Sequence, residues 1–387
     1  MLGQVFEITL MNLRNISARW GSSSVIIVGI AGVVAVLVGL LSMASGFNAA
    51  LGSAARPDRA LIIRDGTNNE LSSVMGIEAI NIVARYAGID VASPELYVVV
   101  GVPKKSSGVQ ANVIARAVQD TAFEVRPELR IVAGRNFEPG RNEMIAGVKA
   151  VTEFAGLDIG NRVELRDSEW EVVGHFADGG SATESEVWLD FALAQTTFRR
   201  EGTASSIRVR LEDASLAEEI NQRLQDDPRL QLALVMEEDF FSEQSASRTA
   251  IINQFGYVVA AIMAVGAVFA ALNTMYSAVS TRTVEIATLR ALGFGNVPVV
   301  ISVMIESLVL ALVGGVLGGL LVYLYFDGYT ASTLNNVSFS QVAFDFAVTP
   351  ELLQLGLTWA LLLGLVGGLF PAVRAARLPI TTALRGE

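Results

Sequence analysis

At 387 residues, 52% hydrophobic and only 17% charged, with a mean hydropathy of +0.47, the chain is more apolar than a soluble globular protein of this length. Its net charge of −11 gives no support to nucleic-acid binding, and the absence of cysteine excludes disulfides, thiol nucleophiles and cysteine metal centres.

The chain opens with Leu2, Phe6, Leu10, Leu13, Ile16 and Trp20 at steps of three or four, with Asn12, Asn15 and Arg19 on a polar side. This spacing predicts a cytoplasmic amphipathic helix over 1–21, lying along the lipid interface. No charge occurs between Arg19 and Arg56, so 22–46 reads as transmembrane helix 1. Its apolar core exceeds the roughly 7–15 residues of a signal-peptide h-region, which predicts a retained anchor.

Segment 47–250 carries 21 Lys+Arg and 32 Asp+Glu, so it holds the whole net charge of the chain. It is long enough to bury a core of its own. "RALIIRD" (59–65), "ELYVVVGVP" (95–103), "VQANVIARAV" (109–118), "SSIRVRLED" (205–213) and "LQLALVMEE" (230–238) read as strands. "ELSSVMGIEAINIVARYAGI" (70–89) and "ASLAEEINQRLQDD" (214–227) read as helices. Short β segments separated by Gly and Asp turns fill 134–200. The expected architecture is an α+β lobe of strand–helix–strand units with a small β-rich subdomain inserted at about 134–200.

Three further charge-poor stretches predict transmembrane helices at 251–280, 297–326 and 352–373. The fold class is therefore an α-helical membrane protein with four transmembrane helices and a large α+β extracytoplasmic domain between spans 1 and 2. Outside 47–250 the basic residues are Arg14, Arg19, Arg282, Arg290, Arg374, Arg377 and Arg385, whereas 327–351 has none. The positive-inside rule then places both termini, the 281–296 connection and the 374–387 tail in the cytoplasm, with 47–250 and the 327–351 loop outside.

Between spans 2 and 3, "TRTVEIATLRALGFG" (281–295) reads as a helix. Ile286, Leu289 and Leu292 recur every three residues as an apolar ridge, Arg282, Glu285 and Arg290 can make polar contacts at its rim, and Gly293 and Gly295 are expected to end it. An interfacial helix that touches only lipid headgroups is the plainer reading.

In span 3 "GGVLGG" pairs Gly314 with Gly318 and Gly315 with Gly319, and span 4 repeats the spacing in Gly364 and Gly368. Such glycines let helix backbones approach, and packing within one subunit is favoured over a dimer seam. Glu306 lies about two turns into span 3. It is either a proton or substrate contact or, as favoured here, a hydrogen-bonded packing residue.

Catalytic signals are sparse. His175 has no second imidazole or cysteine to complete a zinc or Cys/His site, and "GVPKKSSG" (101–108) lacks P-loop spacing. No enzyme and no metal site is expected.

"ALNTMYSAVSTRTVEIATLRALGFG" (271–295) and the ending "GGLFPAVRAARLPITTALRGE" (367–387) resemble FtsX-like and MacB-like ABC transporter permeases. "LRIVAGRNFEPGRNEMIAG", "GLDIGNRVEL" and "WEVVGHF" resemble the MacB-like periplasmic core domain. MacB proper carries an ATPase in the same chain, and no such domain is legible here. The resemblance implies a permease, or mechanotransmission, subunit of the bacterial inner membrane that cytoplasmic ATP hydrolysis moves. Its implied partners are two ABC ATPase subunits holding ATP and Mg, a second permease chain in a homodimer, an adaptor protein, an outer-membrane channel and membrane lipids. The cytoplasmic helix would be the handle that the ATPase grips. Within the family, export, lipoprotein extraction and control of a cell-wall hydrolase stay open. A membrane-anchored ligand sensor is the alternative from another class.

Overall fold

The computed structural model describes residues 5–7, 9–11, 20–53, 55–335 and 340–377. Of the expected N-terminal amphipathic helix, 5–7 and 9–11 are helical; its other positions before Trp20, and the tail beyond Arg377, lie outside the described residues. In chain order, α1 is Trp20–Gly52, β1 Arg59–Arg64, β2 Met75–Gly76, α2 Ile77–Val83, β3 Ile89–Pro103, β4 Gln110–Val118, α3 Thr121–Val125 and β5 Arg130–Gly134. Then come β6 Glu143–Gly147, α4 Val148–Glu153, β7 Arg162–Leu165, β8 Ser168–Ala177, β9 Val187–Asp190, α5 Phe191–Thr197, β10 Thr203–Ala204, β11 Ser206–Leu211, α6 Ala217–Asp226 and β12 Leu232–Met236. The chain continues with α7 Glu237–Thr281, α8 Thr283–Ala291, α9 Asn296–Phe326, β13 Thr330–Asn335, β14 Ser340–Asp345 and α10 Pro350–Arg377.

Two compact units result. One comprises Met1–Ser45, Ala250–Gly328 and Ala347–Glu387; the other comprises Gly46–Thr249 and Tyr329–Phe346.

In the first unit α1, α7, α9 and α10 are each long and apolar enough to cross a membrane. Their shared core joins Ile30 and Val34 of α1, Ala271 and Met275 of α7, Val303 and Leu310 of α9, and Ala360 and Leu363 of α10. Small residues set the spacing. A Cβ on Gly314 or Gly318 would come within 2.8 Å of the Ile27 carbonyl oxygen or 2.5 Å of the Ala31 carbonyl oxygen, both in α1. Gly315 and Gly319 face Ala360 and Leu353 of α10, while Gly364 and Gly368 face Ala311 and Ser307 of α9. The two overlapping glycine pairs thus seat α9 between two helices of its own chain. Ser307 closes the α9–α10 seam by donating to the Gly364 carbonyl at 2.6 Å.

Gly318→Ala is expected to lower the melting temperature of the detergent-solubilised chain, since overpacking costs about 1–3 kcal/mol. Gly266→Ala in α7, where nothing lies within 4 Å of the new Cβ, should leave it unchanged or raise it. Equal melting temperatures for the two variants would contradict the close-packed reading of Gly318.

In the second unit a ten-stranded sheet runs β12-β1-β11-β3-β4-β9-β6-β8-β5, with β7 also paired to β8. The β-rich segment adds to the lobe through the parallel pairing of β4 with β9, Ala115 opposite Val187. One core runs through both parts, joining Ile62, Val113, Met144, Trp170 and Val209 with Ile80 of α2, Phe154 beyond α4 and Ile220 of α6. On the opposite face Ile145, Phe176 and Trp188 form a second cluster. Strand β6 is therefore buried on both faces, as in sheets covered on each side.

One expectation needs correction, and two others gain detail. The helix expected over 70–89 shrinks to the seven residues Ile77–Val83, because Ser73 turns back to accept the Arg64 N–H at 2.9 Å and Glu70 is drawn into a buried ion cluster. Span 2 belongs to a helix that begins at Glu237, well before 251, because Glu237, Glu238 and Asp239 suit a helix N-terminus.

Nor is the expected 327–351 loop a plain connection, since it carries the hairpin β13–β14, which packs within the sheet unit. Ser185 Oγ accepts the Ala343 N–H at 2.9 Å and donates to its carbonyl at 3.1 Å. Lys104 reaches Ser332 at 2.9 Å, Lys149 reaches Asp345 at 3.4 Å, and Phe344 meets Phe47 edge-on at 5.5 Å. Only glycine fits at 46, where a Cβ would lie 2.0 Å from the Asp345 carbonyl oxygen.

Candidate coupling site

The segment singled out by its sequence folds as α8, closed at its C-terminus by short-range geometry. Gly293 adopts φ +97°, its N–H bonds the Arg290 carbonyl at 3.1 Å, and the Phe294 N–H bonds the Leu289 carbonyl at 3.1 Å. That pair of bonds is a Schellman stop, which requires a left-handed residue and so favours glycine. Gly295 has the other role: at φ −73° and ψ 166° it is the N-cap of α9 rather than a second stop for α8.

Side-chain placement separates the six residues proposed as the handle. Ile286 is buried in the helix core with Val279, Val299 and Val303, Leu289 is half-buried, and Leu292 is 73% exposed. These three do not form one outward ridge, because three-residue steps drift around a helix of 3.6 residues per turn. Instead Val284, Thr288, Ala291 and Leu292 are exposed at i, i+4, i+7 and i+8, with Glu285 beside them. Sequence reasoning missed that stripe because Thr288 and Ala291 are not conspicuously apolar. Its spacing was nonetheless legible.

Arg282 is not at the rim. Its side chain is 9% exposed and turns inward, donating Nη1 to Glu306 Oε2 of α9 at 3.2 Å. Glu306 and Arg282 are thus one ion pair, joining the N-cap of α8 to α9. Arg290 is half-buried, in the last turn of α8, where a cation suits the helix dipole.

A second charged constellation lies in the sheet unit, and no local sequence signal marks it. Arg116 of β4 reaches Glu186 at 2.7 and 2.8 Å, Glu70 at 2.8 and 3.2 Å, and Glu95 of β3 at 2.6 Å. Arg126 pairs with Glu95 at 2.7 Å. Glu237, the first residue of α7, receives Arg208 of β11 and, at 2.9 Å, Arg59 of β1. Four arginines and four glutamates, each with little or no exposure, balance one another. Aromatic faces complete the enclosure: Arg116 lies 5.0 Å over the Tyr97 ring and Arg126 5.0 Å over Trp188.

Burial by itself raises the Glu95 pKa, but the guanidiniums of Arg126, Arg208 and Arg116 outweigh it and hold the carboxyl well below the usual range. Glu70 is also held low, Arg116 overcoming the effect of burial. The cluster fastens the first residue of α7 to β1 and β11 and has the chemistry of a structural clamp. His175, in β8, bonds the Leu157 carbonyl through Nε2 at 2.8 Å, and no metal-ligating cluster occurs among the described residues.

Comparisons with known proteins agree with this architecture. Residues 23–227 match the MacB-like periplasmic core domain, and 257–380 match the FtsX-like permease C-terminal domain. An uncharacterized ABC transporter permease of Methanocaldococcus jannaschii is 27% identical over 60% of this chain and 58% of its own length. The macrolide export ATP-binding/permease protein MacB of Azoarcus sp. is 24% identical over 100% of this chain and 60% of its own length. The chain thus spans about three fifths of the curated relatives that it matches. The crystal structure of the periplasmic region of MacB from Actinobacillus actinomycetemcomitans aligns with 48% of this chain and 91% of that one, at 12% identity and a TM-score of 0.39. With the core-domain match covering more than half of its length and the permease match most of the remainder, this multi-pass membrane chain belongs to the MacB-like and FtsX-like family of ABC transporter permeases.

Proposed function

We propose that this permease is a non-catalytic mechanotransmission subunit, which couples ATP hydrolysis in separate cytoplasmic ABC ATPase chains to movement of its periplasmic-type domain. Two ATPase subunits, each holding ATP and Mg, would engage a homodimer of this chain in a bacterial inner membrane. Both termini and α8 would be cytoplasmic, on the side where the basic residues outside the large domain collect. A periplasmic adaptor and an outer-membrane channel would complete an export assembly.

The observation that carries this reading is the exposed face of α8. Val284, Thr288, Ala291 and Leu292 form an uncovered apolar and small-residue stripe on a helix fastened at its start by Arg282–Glu306. Such a fixed, capped helix can pass on displacement, which a flexible turn cannot.

Co-expression with the ATPase tests it. Val284→Asp with Leu292→Asp is expected to weaken association by at least about 30-fold, as loss of a hot spot worth about 2 kcal/mol entails, and to abolish permease-dependent ATPase stimulation. Unchanged co-purification and stimulation would refute this role for α8.

A further inference from the structure

The last turns of α7, the first residue of α8 and the end of α10 line an open polar pocket. Its volume is about 310 Å³, and apart from Val279 it is lined by Asn273, Tyr276, Ser277, Ser280, Thr283 and Arg374. Asn273, Tyr276, Ser277 and Ser280 recur at i, i+3, i+4 and i+7, so they share one face of a helix, exposed at Asn273, Ser277 and Ser280, whose buried residues here, Met275 and Val279, join the apolar core. Four adjacent polar side chains on one face of a membrane span are costly in hydrocarbon unless they meet a polar partner.

The geometry of the donors defines that partner. Arg374 lies 5.5 Å over the Tyr276 ring, a contact that orients the guanidinium without using its hydrogen-bond donors. Thr283 Oγ1 donates to the Ser280 carbonyl at 2.8 Å. Among the described residues, no side-chain hydrogen bond engages Asn273, Ser277 or Ser280. Hydroxyl, amide and guanidinium donors therefore converge on one cavity in which no carboxylate takes part. Because it lies at the ends of two spans, the cavity is at headgroup depth. An anion with several acceptor oxygens matches this donor set, and a planar guanidinium suits phosphate.

We propose that this cavity binds a phosphate group, that of an anionic phospholipid headgroup seated between α7 and α10. Ser277, Ser280 and Asn273 would supply neutral donors and Arg374 the charge-assisted pair. The proposal does not depend on ATPase coupling, since none of Val284, Thr288, Ala291 and Leu292 lines the pocket.

Native mass spectrometry of the full chain, with phosphatidylglycerol or phosphatidylcholine added to the detergent, tests it. The chain is expected to retain one phosphatidylglycerol in preference to phosphatidylcholine. Arg374→Gln should weaken that retention about tenfold, as loss of one charge-assisted hydrogen bond implies. Ser277→Ala with Ser280→Ala, conservative changes at exposed positions, should weaken it as well, whereas Arg377→Gln should not.

Millimolar inorganic phosphate distinguishes the source. Lipid that persists against it identifies a headgroup, and displacement identifies a soluble phosphate as the occupant. Retention that is equal for the native chain, Arg374→Gln and the double serine variant would overturn the proposal, as would equal loss in Arg377→Gln, which would mark a diffuse charge effect. Absence of selective retention by the native chain would also overturn it.

Discussion

Arg116→Ala is expected to destabilise the periplasmic-type domain by about 3–5 kcal/mol, the range for removing one partner of a buried ion pair. The variant leaves Glu70 and Glu186 buried without the guanidinium that bonds both, and it removes one of the cations around Glu95. Dispersion against the Tyr97 ring is lost as well. Trp188 donates Nε1 to Glu186 at 2.9 Å, so its near-ultraviolet signal should report the disruption during thermal unfolding of the full chain.

The pH dependence has a definite sign. In the native chain Glu70 and Glu95 are held below the ordinary value of 4.5, so their ionised forms favour the folded state. That contribution is fully present above about pH 4.5 and is lost as the pH falls through the folded-state values. In Arg116→Ala, burial of Glu70 no longer meets the opposing charge of Arg116, and its pKa should rise. The variant's deficit relative to the native chain is therefore expected to shrink between pH 7 and 4.5. A deficit that stays constant or widens over that interval would contradict the assigned electrostatics.

Removing one partner of the Arg282–Glu306 pair is the other change with a large expected effect. The side chains are 9% and 6% exposed, so Arg282→Ala or Glu306→Ala leaves a largely buried charge without this counter-ion and should cost about 3–5 kcal/mol. The double variant Arg282→Ala/Glu306→Ala should cost much less than the sum of the two single changes, with a coupling of at least about 1 kcal/mol. Melting temperatures of the four full-length proteins in one detergent close this cycle. Strict additivity would mean that the contact at 3.2 Å has no energetic weight. If α8 is also the ATPase handle, the single variants should lose ATPase stimulation and the double variant should recover little of it. Removing both charges relieves the unpaired burial but does not restore the ionic joint between α8 and α9.

Much of the membrane part was legible because its determinants are local. Four long charge-poor runs predict four spans, and G-x-x-x-G spacing predicts close helix approach. The structure puts each of those glycines against α1, α9 or α10 of the same chain, a choice that spacing does not contain. The stop of α8 was legible at Gly293, whereas Gly295, with the same residue type two positions on, starts the next helix. Arg282 and Glu306 were read as separate features because a sequence has no register between one helix and the next.

The buried cluster in the periplasmic-type domain was not legible for the same reason. Arg59, Glu70, Glu95, Arg116, Arg126, Glu186, Arg208 and Glu237 come from eight different segments, and each charge by itself reads as a solvated position. The sheet order brings them together, β1, β11, β3 and β4 being consecutive neighbours. Their burial in turn ended the helix expected over 70–89, since Glu70 cannot both continue that helix and reach Arg116.

By itself, the sequence determined the membrane class, the four spans and the family, because hydropathy and short motifs act within one segment at a time. Only the tertiary structure decided which face of α8 is exposed, which charge answers Glu306, how β13–β14 joins the large domain and where polar side chains meet in a common cavity. Those outcomes depend on pairing between segments distant in sequence. Close packing and the cost of an unpaired buried charge select one such pairing from many that the local pattern allows.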